Sequence, residues 1–270
     1  YLHVDKKADF DLGILKKTVK KSRLFIFSQY SVEWGNYSLV QCELFLLRKA
    51  FSYGNYSYFH LLSGVDLPIK KIDYIYNFFE RNYGTEFVSI FNEDLFKKIN
   101  NVFTKSNTNL FEKIKKMAYR VSYYDFAVEN RVSYRHLFLS HRRVGNSFMR
   151  KLIDFTDFFY ISIQKVLGLG KRIPFEIKRG DNWFSITDQF AKYLLDHEHA
   201  FYPLFKDGLC VDEVYVQTII WNSPFRLKLC ADSSEYRLTS CARCIDWERG
   251  EPYVFRNSDY DFLKNSPCNL

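Results

Sequence analysis

The sequence predicts a single α/β domain in which a mixed central sheet is flanked by helices. Short apolar runs with the length of buried strands alternate with stretches of helical periodicity, which is the rhythm of β-α-β units. The chain has 270 residues, of which 47% are apolar and 26% charged, and this is enough to bury one large core. Because no repeat, low-complexity tract or linker interrupts it, we expect one domain.

The hydrophobic pattern places the elements in order along the chain. Strands are expected at 1–4, 24–27, 58–62, 86–90 and 183–186. Helices are expected at 40–51, 73–82, 149–167, 187–197 and 214–220. Gly168 and Gly170 should end the third helix, and Thr187 or Ser185 should cap the fourth. The polar stretch 92–143 is expected to be an insertion between a first half at about 1–90 and a second at about 145–270.

The stretch YFHLLSGVDLPIK at 58–70 is typical of a ligand-binding strand end. Gly64 lets a ligand approach the backbone, and Pro68 prevents further strand pairing. Asp66 offers one carboxylate at the carboxyl end of the strand, where α/β sheets bind their ligands. The alternative is that Asp66 only caps the helix that follows.

Charge and cysteine content restrict the classes of partner. The net charge of +8 favours an anionic partner, which is a nucleic acid, a sugar-nucleotide diphosphate or an acidic bilayer. No recognition-helix, cold-shock or ribonucleoprotein signature is present, which disfavours nucleic acid. The pair Cys241 and Cys244 has the spacing of zinc ligands but no second pair follows, so reduced thiols are expected instead.

Several motifs in order resemble the Core-2/I-branching β-1,6-N-acetylglucosaminyltransferase and peptide O-xylosyltransferase family. They extend through nearly the whole chain. The motifs are LHVDKK at 2–7, VEWG at 32–35, VQ at 40–41, LSGVDLPI at 62–69, GDNWF at 180–184, DE at 212–213 with QT at 217–218 and NSP at 222–224, and IDW at 245–247 with GEPYVF at 250–255. The last of these resembles the bacterial branch.

The resemblance implies a GT-A type, Rossmann-like fold and inverting glycosyl transfer without a metal. A metal-dependent enzyme of that fold would use an Asp-x-Asp pair. Two such pairs occur, at 9–11 and 259–261, but neither ends a predicted core strand, so neither is expected to bind metal. We therefore expect no metal and no cofactor, with a UDP-sugar as a substrate.

The resemblance also implies roles for particular residues. Glu213 matches the catalytic glutamate and should take the proton of the acceptor hydroxyl, while Asp212 caps the following helix. Trp183, with Asn182 beside it, should form the floor of the acceptor site. Other interpretations are that both carboxylates only cap the helix and that Trp183 belongs to the core.

Four residues are expected to bind the donor: Asp5, Gly64, Asp66 and Arg249. Asp5 should approach the uridine, and Arg249 should contact the diphosphate, with Arg243 and Arg256 as alternatives. The family also has a strand that would precede Tyr1 and a lysine contact that would follow Leu270, so we expect either a trimmed sequence or a departure from the family there.

The expected function is transfer of a sugar, with GlcNAc favoured, from UDP to a glycan or lipid-linked oligosaccharide in surface polysaccharide synthesis. Xylosyltransferases of the family show Gly-Ser-Asp-Trp where this chain has Gly-Asp-Asn-Trp at 180–183, which weakens a xylose assignment. The alternatives are a xylosyltransferase, an inactive sugar-binding homologue and, remotely, a nucleic-acid-binding protein. With no apolar run of about 18 residues and no signal peptide, we expect a bacterial cytoplasmic enzyme, peripheral at the inner membrane.

Overall fold

Short strands and helices alternate along the chain, as the hydrophobic pattern predicts. The computed structural model describes residues 1–92, 128–137, 147–232, 237–246, 249 and 253–266. The strands are β1 (Leu2–His3), β2 (Ile26–Phe27), β3 (Tyr58–His60), β4 (Phe87–Val88), β5 (Ile90–Phe91), β6 (Phe184–Thr187) and β7 (Arg237–Thr239). The helices are α1 (Leu12–Thr18), α2 (Ser38–Tyr53), α3 (Ile72–Arg81), α4 (Val128–Ser133), α5 (Ser147–Val166), α6 (Asp188–Phe205), α7 (Tyr215–Trp221) and α8 (Tyr260–Asn265). Short 3₁₀ turns lie at Val211–Glu213, Pro224–Lys228 and Asn257–Asp259.

The described strands pair into three small sheets. β1 and β2 are parallel, with Leu2 opposite Ile26. β6 lies between β3 and β4 and is antiparallel to both, and β5 pairs antiparallel with β7. The sequence predicted one mixed central sheet, whereas the strands of the described residues are divided among these smaller sheets. The structure is thus a mixed α/β arrangement of small sheets flanked by helices.

The main core lies where α2, α6 and α7 pack around β3 and β6. Leu44 and Leu47 of α2 are buried, three residues apart on one face of the helix. Thr187 caps α6 as expected, because its hydroxyl accepts the N–H of Phe190. α6 extends eight residues beyond the predicted end at 197, and Pro203 lies within its last turn. Burial of each large apolar side chain contributes about 1.5–3 kcal/mol, so this core holds the segments that carry the site.

α5 ends near Gly168, as the sequence predicts, and begins two residues before the predicted start at 149. Gly168 has a φ of +65°, and the N–H of Leu169 donates to the carbonyl of Gln164 at 2.9 Å, so a left-handed glycine ends the helix. On the inner side of α5, Asp157 accepts from the Leu137 N–H at 2.6 Å and pairs with His136 Nδ1 at 2.8 Å. These bonds fix the rotation of α5 about its own axis.

The predicted insertion at 92–143 lies largely outside the described residues. Within it, α4 is described, and its Val128 and Val132 side chains are buried in the main core. This part of the range is therefore integral to the fold. None of the helices in the described ranges is both long and apolar enough to span a membrane.

Candidate functional site

The loop before α7 is held against two distant segments of the chain. The N–H of Cys210 donates to the carbonyl of Gly35 at 2.9 Å, and the N–H of Leu209 donates to the carbonyl of Arg131 at 2.8 Å. Cys210 itself adopts a left-handed conformation, with φ 45° and ψ 52°. Such a backbone costs a non-glycine residue of the order of 1 kcal/mol and persists only where the surroundings enforce it. The strained residue lies immediately before the 3₁₀ turn that carries Asp212 and Glu213.

Glu213, the expected catalytic base, forms an ion pair with a buried arginine. Its Oε2 atom lies 2.8 Å from Nη1 of Arg131 in α4. The Arg131 side chain is 0% exposed, whereas that of Glu213 is 34% exposed. The glutamate therefore reaches the surface of the molecule while a cation inside the protein fixes its orientation. The role of Glu213 as the catalytic base stays a prediction.

Two further carboxylates lie behind Glu213. Glu43 of α2 is buried, and burial together with the nearby charge of Asp212 raises the pKa of Glu43 well above its usual range. Burial and the neighbouring Glu213 raise the pKa of Asp212 to about 7. Oδ1 of Asp212 is buried without a hydrogen-bond partner among the described residues. We call Glu43, Asp212 and Glu213 the carboxylate cluster.

Asn182 ties the predicted acceptor segment to this cluster. When the Asn182 amide is oriented so that its nitrogen faces acceptors and its oxygen faces donors, the nitrogen donates to Glu43 Oε1 at 3.2 Å and to the Asp212 carbonyl at 3.3 Å. The N–H of Gly180 donates to the Glu213 carbonyl at 3.0 Å. A Cβ at Gly180 would lie 1.8 Å from the Ser89 carbonyl oxygen, so only glycine allows this approach. The segment 180–183 therefore lies alongside the turn that carries Glu213.

One expected role of Asp212 is wrong. α7 begins after Val214, and no side chain makes a capping hydrogen bond there. Asp212 instead lies inside the preceding 3₁₀ turn, Val211–Glu213. The turn displaces both carboxylates from the capping position, so neither acts as the N-cap of α7.

Trp183 and Asp66 are brought together from distant parts of the sequence. The indole Nε1–H of Trp183 donates to Asp66 Oδ2 at 2.7 Å, and the Ser63 N–H donates to the same oxygen at 2.6 Å. Both side chains are half-buried. Asp66 therefore sets the orientation of the indole, which a buried polar N–H requires. Gly64 lies in the exposed turn between Ser63 and Asp66, and a Cβ there would meet nothing within 4 Å.

Asp5 organises the loop after β1. Its two carboxylate oxygens accept from the backbone N–H of Lys7 at 2.8 Å and of Val32 at 3.0 Å. The hydrogen bond from Val32 therefore joins the VEWG motif at 32–35 to the motif at 2–7 that contains Asp5. Contact of Asp5 with uridine stays a prediction.

Arg249 lies in the carboxyl-terminal region between two carboxylates. It pairs with Asp246 at 2.5 Å and with Asp259 at 2.8 Å, and its guanidinium lies 4.1 Å from the centre of the Tyr253 ring. Both carboxylates raise the pKa of Arg249 further. Arg249, Asp246 and Asp259 line an open pocket of about 450 Å³. A role for Arg249 at the diphosphate stays a prediction.

Arg243, an alternative to Arg249, has a structural environment. It is buried, and its guanidinium donates to the carbonyls of Phe184 at 2.9 Å and Leu61 at 3.1 Å and to Ser185 Oγ at 3.0 Å. These acceptors lie along β6 and the end of β3, so Arg243 joins the two strands. A guanidinium with these partners is not oriented toward an external ligand.

The two Asp-x-Asp pairs have local roles at helix starts. Asp11 caps α1 by accepting the Gly13 N–H at 2.7 Å. Asp259 accepts the Arg256 N–H at 2.8 Å just before α8. In the described ranges no three His, Cys, Asp or Glu side chains are arranged to hold a metal ion. Cys241 and Cys244 are both thiols.

Sequence reasoning missed Arg131 and Glu43. Arg131 lies between the apolar Val128 and Val132 in a stretch interpreted as an insertion, and Glu43 lies in the apolar run of α2. Glu43 is a charged residue within the predicted helix at 40–51, and because a buried charge requires a partner, this signal for a polar site was available. No helix was predicted around Arg131, so the sequence pattern offered no such signal there.

Comparison with known proteins places the chain in a family. No curated protein is similar enough to the chain to count as a match. The family model of the Core-2/I-Branching enzymes matches residues 1–261, which is nearly the whole chain. The chain therefore belongs to the Core-2/I-branching enzyme family, a family of glycosyltransferases of the N-acetylglucosaminyltransferase type.

Proposed function

We propose that this protein transfers GlcNAc from UDP-GlcNAc to a glycan hydroxyl with inversion, and that Glu213 is the general base. The observation that carries the proposal is the ion pair between the part-exposed Glu213 and the fully buried Arg131. A carboxylate that a buried cation holds on a turn, and that is open to solvent on one side, is placed to take the proton of an incoming hydroxyl. The family to which the chain belongs supports GlcNAc as the sugar.

The acceptor is proposed to bind between Trp183 and Glu213. The segment 180–183 is hydrogen-bonded to the turn of Glu213, so an acceptor sugar stacked on the indole lies close to the base. Because the Asp66 carboxylate fixes the indole, the ring is oriented before the acceptor arrives. A lipid-linked oligosaccharide of a bacterial surface polysaccharide is the proposed acceptor.

The reaction is proposed to need no metal. Oδ2 of Asp66 already accepts two N–H groups, and this single carboxylate falls short of the acidic pair that usually holds Mg²⁺ or Mn²⁺. The charge of the departing UDP would then be met by arginine or lysine. Binding of UDP-GlcNAc, followed by calorimetry, should persist in excess chelator. A strict requirement for Mn²⁺ would refute this part of the proposal.

The base is tested by Glu213→Gln, with Glu80→Gln on the exposed surface of α3 as the matched control. We expect Glu213→Gln to bind UDP-GlcNAc within a few-fold of the parent and to lose turnover by about a hundredfold or more. The control should keep parental turnover. Parental turnover by Glu213→Gln would move the base to Asp212 or Asp181.

The donor is tested by thermal shift with UDP-GlcNAc, UDP-xylose, UDP-GalNAc and UDP-glucose. A selective rise in melting temperature with UDP-GlcNAc supports the proposed sugar, and selectivity for UDP-xylose would replace it. Donor binding without transfer or hydrolysis under any condition would favour the sugar-binding homologue.

A further inference from the structure

α5 exposes an apolar face along its whole length. The face consists of Phe148, Leu152, Phe155, Phe159, Ile163 and Val166. These residues follow one another at intervals of three or four, so they lie on one side of the helix. Phe148 is 71% exposed, Phe155 63% and Val166 87%. We call this set the outward face, and Leu167 and Leu169 continue it, each 62% exposed.

The side of α5 that packs against the protein carries polar groups. Asp157 and Gln164 are buried there, together with Ile153 and Ile161. The Gln164 amide donates to the Arg135 carbonyl at 2.9 Å and accepts the Arg135 N–H at 3.1 Å. A helix with this pattern would turn its apolar side inward if only burial in the core decided its rotation. The hydrogen bonds of Asp157 and Gln164 instead hold the polar side of α5 against the protein and leave the apolar side exposed. An exposed apolar face of this length indicates a partner outside the described core.

The exposed charged side chains on and near α5 are cations, which favours an anionic partner. Lys151, Lys165 and Arg172 are exposed at or near its two ends. The two carboxylates of the helix do not share this exposure, because Asp157 is buried and Asp154 is half-buried. The whole chain carries a net charge of +8, so a second copy brought against this face would meet like charge.

We propose that α5 and the residues to Leu169 are a membrane-docking surface, which lies in the plane of an anionic bilayer with the outward face among the acyl chains. Twenty helical residues extend over about 30 Å, which gives a long line of insertion parallel to the surface. The phenylalanines enter the boundary between headgroups and acyl chains, and the flanking cations meet the phosphates. The proposal does not rest on the identity of the sugar or on Glu213.

The test measures co-sedimentation of the full chain with vesicles of phosphatidylcholine, with and without phosphatidylglycerol. The variant is Phe155→Glu with Phe159→Glu. The matched control is Ile72→Glu with Leu227→Glu, which changes the charge equally at side chains that are 71% and 93% exposed elsewhere. We expect the parent to bind the anionic vesicles at low salt. The α5 variant should bind at least about tenfold more weakly, and the control should differ from the parent by less than about threefold.

Further measurements distinguish insertion of the outward face into the bilayer from coverage of that face by another segment or by a second copy. The α5 variant should keep the parental melting temperature in solution, and Phe155→Trp should gain quenching by lipids brominated on their acyl chains. A strong loss of stability in the α5 variant would show that another segment of the chain covers the face. Sedimentation of the parent as a dimer that the variant abolishes would assign the face to a second copy. Either outcome, or equal losses of binding in variant and control, would overturn the proposal.

Discussion

The Arg131–Glu213 ion pair should couple the two side chains energetically. The free energy of this ion pair should lie between that of an exposed pair and that of a fully buried pair, because one partner is fully buried and the other is 34% exposed. Exposed ion pairs contribute about 0.2–1 kcal/mol, whereas removal of one partner from a fully buried pair costs about 3–5 kcal/mol. At 2.8 Å, with one side in solvent, we expect a coupling free energy of about 1–3 kcal/mol.

A double-mutant cycle measures this coupling. Arg131→Met, Glu213→Gln, the double variant and the parent are unfolded by urea at pH 7, and the coupling is the difference between the summed single effects and the double effect. The cycle cancels the other contacts that Arg131 makes, because both steps from Arg131 to Met remove them. A coupling below about 0.5 kcal/mol would show that Arg131 does not hold the glutamate, and the geometric argument for the base would fail.

Two further predictions concern Asp212 and Asp66. Because the pKa of Asp212 is raised to about 7, the folded state keeps a proton that the unfolded state releases near pH 4, so this residue lowers stability as pH rises from about 4 to about 7. Asp212→Asn should therefore stabilise the protein by about 2–4 kcal/mol at pH 8 and by less than about 1 kcal/mol at pH 4, and an equal effect at both pH values in urea unfolding would contradict this. Asp66→Ala should weaken acceptor binding and change the fluorescence of Trp183, and the spectral change should disappear in a Trp183→Phe background.

The order and type of most elements could be predicted from the sequence, because local patterns carry that information. The apolar periodicity of α2 and α5 and the capping by Thr187 depend on residues within a few positions of one another. The division into small sheets did not follow from the pattern. Strand pairing depends on contacts between residues far apart in sequence, and β6 pairs with β3 more than a hundred residues earlier.

In the candidate site, too, local features could be predicted from the sequence and contacts between distant residues could not. The strand end at Asp66 and the glutamate at Glu213 carry local signatures, but their partners are remote. Arg131 is 82 positions from Glu213, and Asp66 is 117 positions from Trp183. The expected cap by Asp212 was wrong because a one-turn 3₁₀ segment shifted the start of α7. The N-cap of α7 is Val214, two residues after Asp212, and a difference of this size is within the uncertainty of a helix boundary predicted from propensity. It leaves α7 without a side-chain cap.

Charge balance explains how the carboxylate cluster accommodates an ionised base. If Glu43, Asp212 and Glu213 were all ionised, Arg131 would face three negative charges at the edge of the core, which burial makes costly. The raised pKa values of Glu43 and Asp212 mean that these two carboxyls release their protons at a higher pH than ordinary carboxyls do, Asp212 at about 7. Glu213, whose side chain is 34% exposed, pairs directly with Arg131, so the cation lies against this carboxylate. The two protonated carboxyls thus favour localisation of the charge on the oxygen atoms that a substrate can reach.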